Sequence, residues 1–454
     1  MGVGLNPSVI VVGGGLAGIA ATVSLAQRGF RVTLLESRTR LGGRASSFSD
    51  PVSGQLVDAC QHVTMGCCTN FAKLCETVGI GHLLEPQRAL YFLTPDRRVS
   101  RFAADPWPAP FHLGRALASA HYLTAVEKLR VGYGLLALVR ERPDADPPLG
   151  DWLRAHRQTP RTIARFWAVV LTSALNETVD RVGLKYARKV FADGFLGDRD
   201  GWQVSVPRVP LGRLYGAELR GWLARHGVDV RENAGVRRVD CNPSPLPPPR
   251  SGEGEQIQIF LRDGSTLAVD YCVLAVPFDR VADLLPPELA AMPYFAGAAK
   301  LEPSPITSVH LWYDRSLTRL PHVVLVDCLG HWLFNRGEVA PGEHYVQVVV
   351  SASRELRPLG RDEVQRRVAE ELGRLFPVNA TLLRAKVVTD PVATFCVVPG
   401  VDALRPPQVS PVRNMAVAGD WTDTGWPATM EGAVRSGFLA ANAILTVSRR
   451  HELG

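Results

Sequence analysis

Lysine is scarce in this sequence. Six lysines stand among 51 basic residues, so arginine carries nearly all the positive charge, and no run of five basic residues occurs. That dispersal argues against nucleic-acid binding. The net charge of +7 still favours a mild attraction to anionic membrane surfaces. Long apolar runs are missing too, and none reaches the length of a bilayer span. Residues 9–26 resemble a signal-peptide core, but no Lys or Arg precedes them and glycines interrupt them, so they are not read as targeting. Asn6 stands where a myristoylation signal after Gly2 needs Ser or Thr. With no secretion signal, the eight cysteines read as reduced thiols. The chain is expected in the cytoplasm, with peripheral contact at the inner face of the membrane. Its 454 residues allow two or three domains, and 46% hydrophobic with 21% charged residues suits a globular protein.

Val9 to Glu36 is the organising stretch. Four β-branched residues run into Gly13, Gly14 and Gly15, then Leu16, Ala17 and Gly18. The pattern predicts a helix over Ile19–Arg28 stopped by Gly29, then a second strand, Arg31–Leu35, ending on Glu36. This is the dinucleotide fingerprint G-x-G-x-x-G with its acid about 20 residues on. Gly13 permits the turn, Gly15 lets a pyrophosphate approach the backbone, and Gly18 lets the helix pack closely. The helix start offers N–H groups and a positive dipole end to phosphate. Glu36, followed by Ser37, suits a free ribose 2′-hydroxyl and disfavours NADP. The competing reading is a glycine-rich turn in an ordinary βαβ unit, which the flanking strands and Glu36 disfavour.

Gly42-Gly43-Arg44 follows in a loop, where the glycines permit close approach and the arginine offers a fork of donors for phosphate. With the fingerprint, the LGGRASSF run resembles the FAD-binding start of the flavin amine oxidase and carotenoid (phytoene) desaturase superfamily. Residues 54–66, with Asp58 near the start, then match the segment that runs along the flavin. Gln61-His62 resembles a narrower group, the hydroxysqualene dehydroxylases, although Ala59 and Cys67-Cys68 depart from its pattern. The resemblance makes His62 the first candidate for a general acid, Asp58 the reserve, and Gln61 a substrate contact. A hydrogen-bonded structural histidine is the alternative for His62. The cysteines and histidines of 60–82 fit no zinc spacing, and core or cavity-lining thiols are the preferred reading.

From 85 to 205 the composition turns to Trp, Phe, Pro and Leu. Helices are expected over Leu113–Arg142 and Asp151–Leu175, with Asp151 as N-cap. They read as an apolar-lined domain that touches a membrane, or as plain helix packing. A helix over Arg213–Arg225, short strands within 228–241, a Pro/Gly/Ser-rich loop at 242–256 and an Asp263-Gly264 hairpin follow. By the resemblance, Val236 lies against the adenine. Strands are expected within Pro303–Asp314 and His344–Leu356, and a helix over Arg361–Phe376. The strand Ile306–Asp314 has no lysine, and Lys300 lies outside it, which counts against amine oxidation. Finally, Asn414 to Ala441 resembles the superfamily's C-terminal FAD motif. It implies cofactor contacts at Gly419, Asp420, Thr429, Met430 and Ala433, with Trp426 shaping the substrate cavity.

The expected fold class is α/β: a discontinuous Rossmann-like FAD domain of the glutathione-reductase type (1–84, 206–289, 396–454) and an α+β substrate domain (85–205, 290–395). The resemblance implies an FAD-dependent oxidoreductase acting on a lipophilic isoprenoid, with squalene-pathway synthases as partners and no metal. Reductive dehydroxylation of hydroxysqualene is the first expectation, a carotenoid-type desaturase the second, and a non-catalytic flavoprotein carrier the third.

Overall fold

The computed structural model describes residues 6–141, 145–241 and 256–453. In strand β1 (Ser8–Val12) the four residues Val9 to Val12 are β-branched and buried on both faces, as a central parallel strand requires. It runs through the glycine turn into helix α1 (Leu16–Ala26) and on to β2 (Arg31–Leu35). Three later segments join them: β3 (Asp229–Arg231), β4 (Tyr271–Leu274) and β5 (Met415–Val417). The order is β3-β2-β1-β4-β5, and every pair is parallel. The glycine turn therefore opens at the carboxyl edge of a parallel sheet, where such sheets bind ligands.

Helix α2 (Thr69–Val78) and the last helix, α3 (Met430–Leu453), flank this sheet. α3 crosses α1 on small residues: a Cβ on Gly437 would stand 2.2 Å from the Ala17 carbonyl oxygen. First and last helices thus pack backbone to backbone.

A second, seven-stranded sheet stands apart. Its order is Leu382–Phe395, Pro303–Tyr313, Glu343–Val350, Trp332–Ala340, His322–Leu325, Leu90–Leu93 and Val99–Phe102. All pairs are antiparallel except His322–Leu325 with Leu90–Leu93. The Arg361–Leu375 helix packs Val364, Val368, Leu372 and Leu375 against this sheet.

Several local expectations need correction. The helix expected over 113–142 is broken. Gly114–Ser119 ends as Ala120 turns extended, and Thr124 then starts Ala125–Arg140 with a capping box to Glu127. Asp151 is no N-cap; Pro148 takes that place, and Asp151 sits in the first turn, 2.8 Å from Arg154. Leu90–Leu93 and Val99–Phe102 form strands that were not expected: Val99–Phe102 pairs with Leu90–Leu93, which itself joins the sheet through His322–Leu325, more than 200 residues away. Arg213–Arg225 splits at Gly216, and Ser353–Leu356 is a helical turn rather than strand. α1 begins at Leu16, three residues before the expected start. The Pro-rich loop at 242–255 lies outside the described residues.

Candidate functional site

The glycine turn is held by its own carboxylate. Glu36 is buried, and its Oε2 accepts from the Gly14 N–H at 2.8 Å while Oε1 accepts from the Arg38 N–H at 2.8 Å and the Ser37 hydroxyl at 3.2 Å. Gly13 takes φ +108°, a backbone state that a side chain disfavours. A Cβ on Gly18 would fall 1.8 Å from the Gly13 carbonyl oxygen, so this glycine permits the helix to start directly on the turn. Gly15 differs: a Cβ there would meet only the Gly43 Cα at 3.9 Å. Gly15 is also the N-cap of α1 and supplies no capping side chain. Leu16 and Ala17 are buried behind it.

The second glycine pair lies across the first. Gly42 N–H donates to the Gly14 carbonyl at 2.9 Å, and Gly42 pairs with Gly15 as an isolated parallel bridge. Val236 begins a strand beside this region, and the Ala234 N–H just before it donates to the Glu36 carbonyl at 2.9 Å.

Arg44 reaches the other end of the chain. Its Nη2 donates to Asp420 Oδ1 at 2.6 Å and its Nη1 to the Ala393 carbonyl at 2.7 Å. Burial alone lowers the Arg44 pKa, but Asp420 outweighs it, and the guanidinium is held above its ordinary value. Only part of the fork expected for phosphate therefore remains free, and Asp420 is committed to this pair. Gly419 N–H donates to Ser436 in α3, and the buried Trp421 donates to the Val276 carbonyl. Thr429 caps α3, accepting from the Gly432 N–H at 3.1 Å, and its carbonyl accepts from Ala433 N–H at 3.0 Å.

Two residues that sequence reasoning passed over hold this edge. Arg405, with a fully buried side chain, donates through Nη2 to the carbonyls of Asp420 (3.1 Å), Thr422 (2.6 Å) and Trp426 (2.7 Å), and through Nη1 to the Tyr186 hydroxyl and Asp402. Nothing local in ALRPPQ signals this. Glu431, 1% exposed, caps α2 by accepting from the N–H groups of Asn70 (3.1 Å) and Phe71 (2.9 Å). Its signal was an acid in the first turn of the last helix.

His62 donates through Nδ1 to the Cys60 carbonyl at 2.9 Å. A carbonyl only accepts, so Nδ1 carries the hydrogen and Nε2 is an acceptor in the neutral ring. Burial holds the ring below its ordinary pKa. His62 and Met430 line one narrow gap with Phe71, Leu211, Leu214 and Tyr215, too tight for a water molecule. Gln61 donates to the His62 carbonyl at 3.1 Å, and its buried Oε1 has no partner among the described residues. Asp58 does not enter the gap. Its Oδ1 accepts from Ser47 Oγ (2.6 Å) and the Leu211 N–H (2.7 Å), and burial pushes its pKa up. Trp426 lies elsewhere, its ring 4.4 Å from Lys189 Nζ. All eight cysteines are free thiols.

The family model for flavin containing amine oxidoreductase matches residues 16–445. The chain belongs to that family. The family's cofactor is FAD, and the residues fit it: an open backbone at Gly15, an uncapped helix start, the buried Glu36 carboxylate and the unpaired Gln61 Oε1. Among curated relatives, the chain is similar to 15-cis-phytoene desaturase of Solanum lycopersicum, 27% identical over 96% of this chain and 77% of that one. It is also similar to hydroxysqualene dehydroxylase of Rhodopseudomonas palustris, 27% identical over 98% of this chain and 100% of that one. In structure it resembles cyclohexylamine oxidase from Brevibacterium oxydans, with TM-score 0.69, 18% identity and coverage of 98% and 100%. That likeness is one of fold. As a family member the chain is an FAD-dependent oxidoreductase with a parallel Rossmann-like sheet and an antiparallel companion sheet.

Proposed function

We propose that this flavoprotein acts on a long isoprenoid, and that its reaction is the reductive dehydroxylation of hydroxysqualene to squalene. In this reading, segments 1–84, 206–289 and 396–454 hold the cofactor, and 85–205 with 290–395 hold the substrate. The observation that carries it is His62, whose Nδ1 is engaged by the Cys60 carbonyl and whose ring lines a narrow gap with Met430 in the Gln61-His62 context, a gap that must widen to admit a substrate. The relative named for this reaction is matched from end to end. The strand Pro303–Tyr313 carries no lysine, which weighs against an amine substrate.

Bound and reduced, FAD supplies a hydride. The chain's own part is to orient the allylic hydroxyl, exclude water and deliver a proton to the leaving oxygen, so that the C–O bond breaks with release of water. Neutral His62 accepts the substrate hydroxyl at Nε2; to act as the acid it must first gain a second proton there. Its lowered pKa then makes turnover decline as pH rises through a value below 6.5. His62→Ala is expected to retain bound flavin and lose most turnover when anaerobically reduced enzyme meets hydroxysqualene. Full turnover in the variant removes His62 from the site.

Desaturation of phytoene is the second reading, supported by desaturases from tomato and Synechococcus elongatus that match at the same 27%. Oxidised enzyme incubated with phytoene separates the two by product.

A further inference from the structure

We propose that the outer face of the Ala125–Arg140 helix is a docking surface for an anionic lipid bilayer. The helix is apolar on both faces, unlike a solvated surface helix. Its inner face packs well: Val131 and Leu138 are fully buried, and a Cβ on Gly134 would strike Trp167 at 2.8 Å. The opposite face, which should be polar, carries Val126, Leu129, Tyr133 and Leu136 at three- and four-residue spacing. Leu129 is 76% exposed, and Tyr133 and Leu136 are 50% exposed. Single exposed apolar residues are ordinary, but four in one stripe mark an interaction site.

Charge selects the occupant. Arg130 and Arg140 flank the stripe and are exposed, and neither forms an ion pair among the described residues. The helix's two neighbouring acids are turned away: Glu127 is buried, accepting from the Thr124 N–H and pairing with Arg161 at 3.1 Å, and Glu141 accepts from Trp152. An apolar stripe whose charged border, among the described residues, is arginine is what an interfacial helix presents to anionic headgroups. A two-fold contact with a second copy would instead bring these arginines face to face with no acid between them. Two further exposed aromatics, Trp107 and Phe111, lie in the segment leading into Gly114–Ser119, which is tied to this helix by Lys128 Nζ on the Ala118 carbonyl at 2.5 Å. Among the described residues no helix is long and apolar enough to cross a membrane, so the contact is peripheral. The proposal stands apart from the choice of substrate.

The test uses full-length, flavin-loaded protein and sedimentation with vesicles of phosphatidylcholine plus phosphatidylglycerol, or of phosphatidylcholine alone. Wild type is expected to favour the anionic vesicles. The double variant Leu129→Asp, Leu136→Asp should keep its bound flavin and unfolding temperature while its partition falls roughly tenfold. Arg130→Glu with Arg140→Glu should bind both vesicle types alike. Sedimentation of the leucine variant at the wild-type level overturns the proposal. So does a wild type that ignores vesicles but forms a concentration-dependent dimer abolished by the same substitutions, an outcome that assigns the face to a second copy.

Discussion

Arg44 Nη2 and Asp420 Oδ1 lie 2.6 Å apart although 376 positions separate them in the chain. The pair fastens the loop after β2 to the loop after β5, with Asp420 almost wholly buried. Its removal should therefore act on both loops at once. In a double-mutant cycle with Arg44→Met and Asp420→Asn, read as flavin affinity, the coupling is expected at about 2 kcal/mol. Additive single effects would mean that the pair is incidental.

Gly15 and Gly18 should respond differently to the same methyl group. Gly18→Ala places a carbon 1.8 Å from the Gly13 oxygen and should yield unstable or insoluble protein. Gly15→Ala meets only the Gly43 Cα at 3.9 Å and should fold at near wild-type melting temperature. Its flavin affinity should nonetheless fall by at least about tenfold, because the methyl occupies the approach to the pyrophosphate. A colourless Gly15→Ala with a normal apoprotein melt, beside a failed Gly18→Ala, is the expected pattern.

Arg405 is a buried cation satisfied mainly by carbonyl oxygens of the 420–426 loop. Arg405→Met leaves those carbonyls without their donor, although Asp402 keeps Lys185 and the Tyr186 hydroxyl, and a loss of about 3 kcal/mol is expected from chemical denaturation. Because the loop carries Asp420, flavin release should accompany the loss. A variant as stable as wild type would show that water replaces the guanidinium at no cost.

His310 and His322 should make stability depend on pH. Burial pushes both down to about 4 from the ordinary 6.5. Between those values the unfolded chain binds more protons than the folded one, so stability falls as pH drops from 6.5 toward 4. Above 6.5 the two residues contribute no pH dependence. Melting temperatures across this range should show a shallower decline for His322→Leu, which removes a buried titrating ring from between Tyr91 and Trp332. An unchanged slope in that variant would place the dependence elsewhere.

How much of this was legible in the chain follows from the range of each interaction. β1, the glycine turn, α1 and β2 were readable because each is specified by neighbours: β-branched residues for the strands, Gly13 for a positive φ, Gly18 for a missing Cβ. Leu90–Leu93 was not, since a short apolar run becomes a strand only when an edge is offered to it, here by His322–Leu325, and Val99–Phe102 then pairs on Leu90–Leu93. The break at Ala120 had a local signal, the Thr124–Glu127 capping box, which the long apolar spacing around it masked.

The primary sequence by itself determined that a nucleotide-binding turn exists and which residues surround it, because glycine geometry and strand propensity act within a few bonds. Only the tertiary structure decided what the charged groups do. Glu36 holds its own turn, Arg44 spends its fork on Asp420, Arg405 secures a loop and Glu431 caps a helix 361 residues away. A side chain's partner is set by proximity in the folded molecule, and burial then enforces the pairing, since a charge removed from water must find its counterpart wherever in the chain that lies.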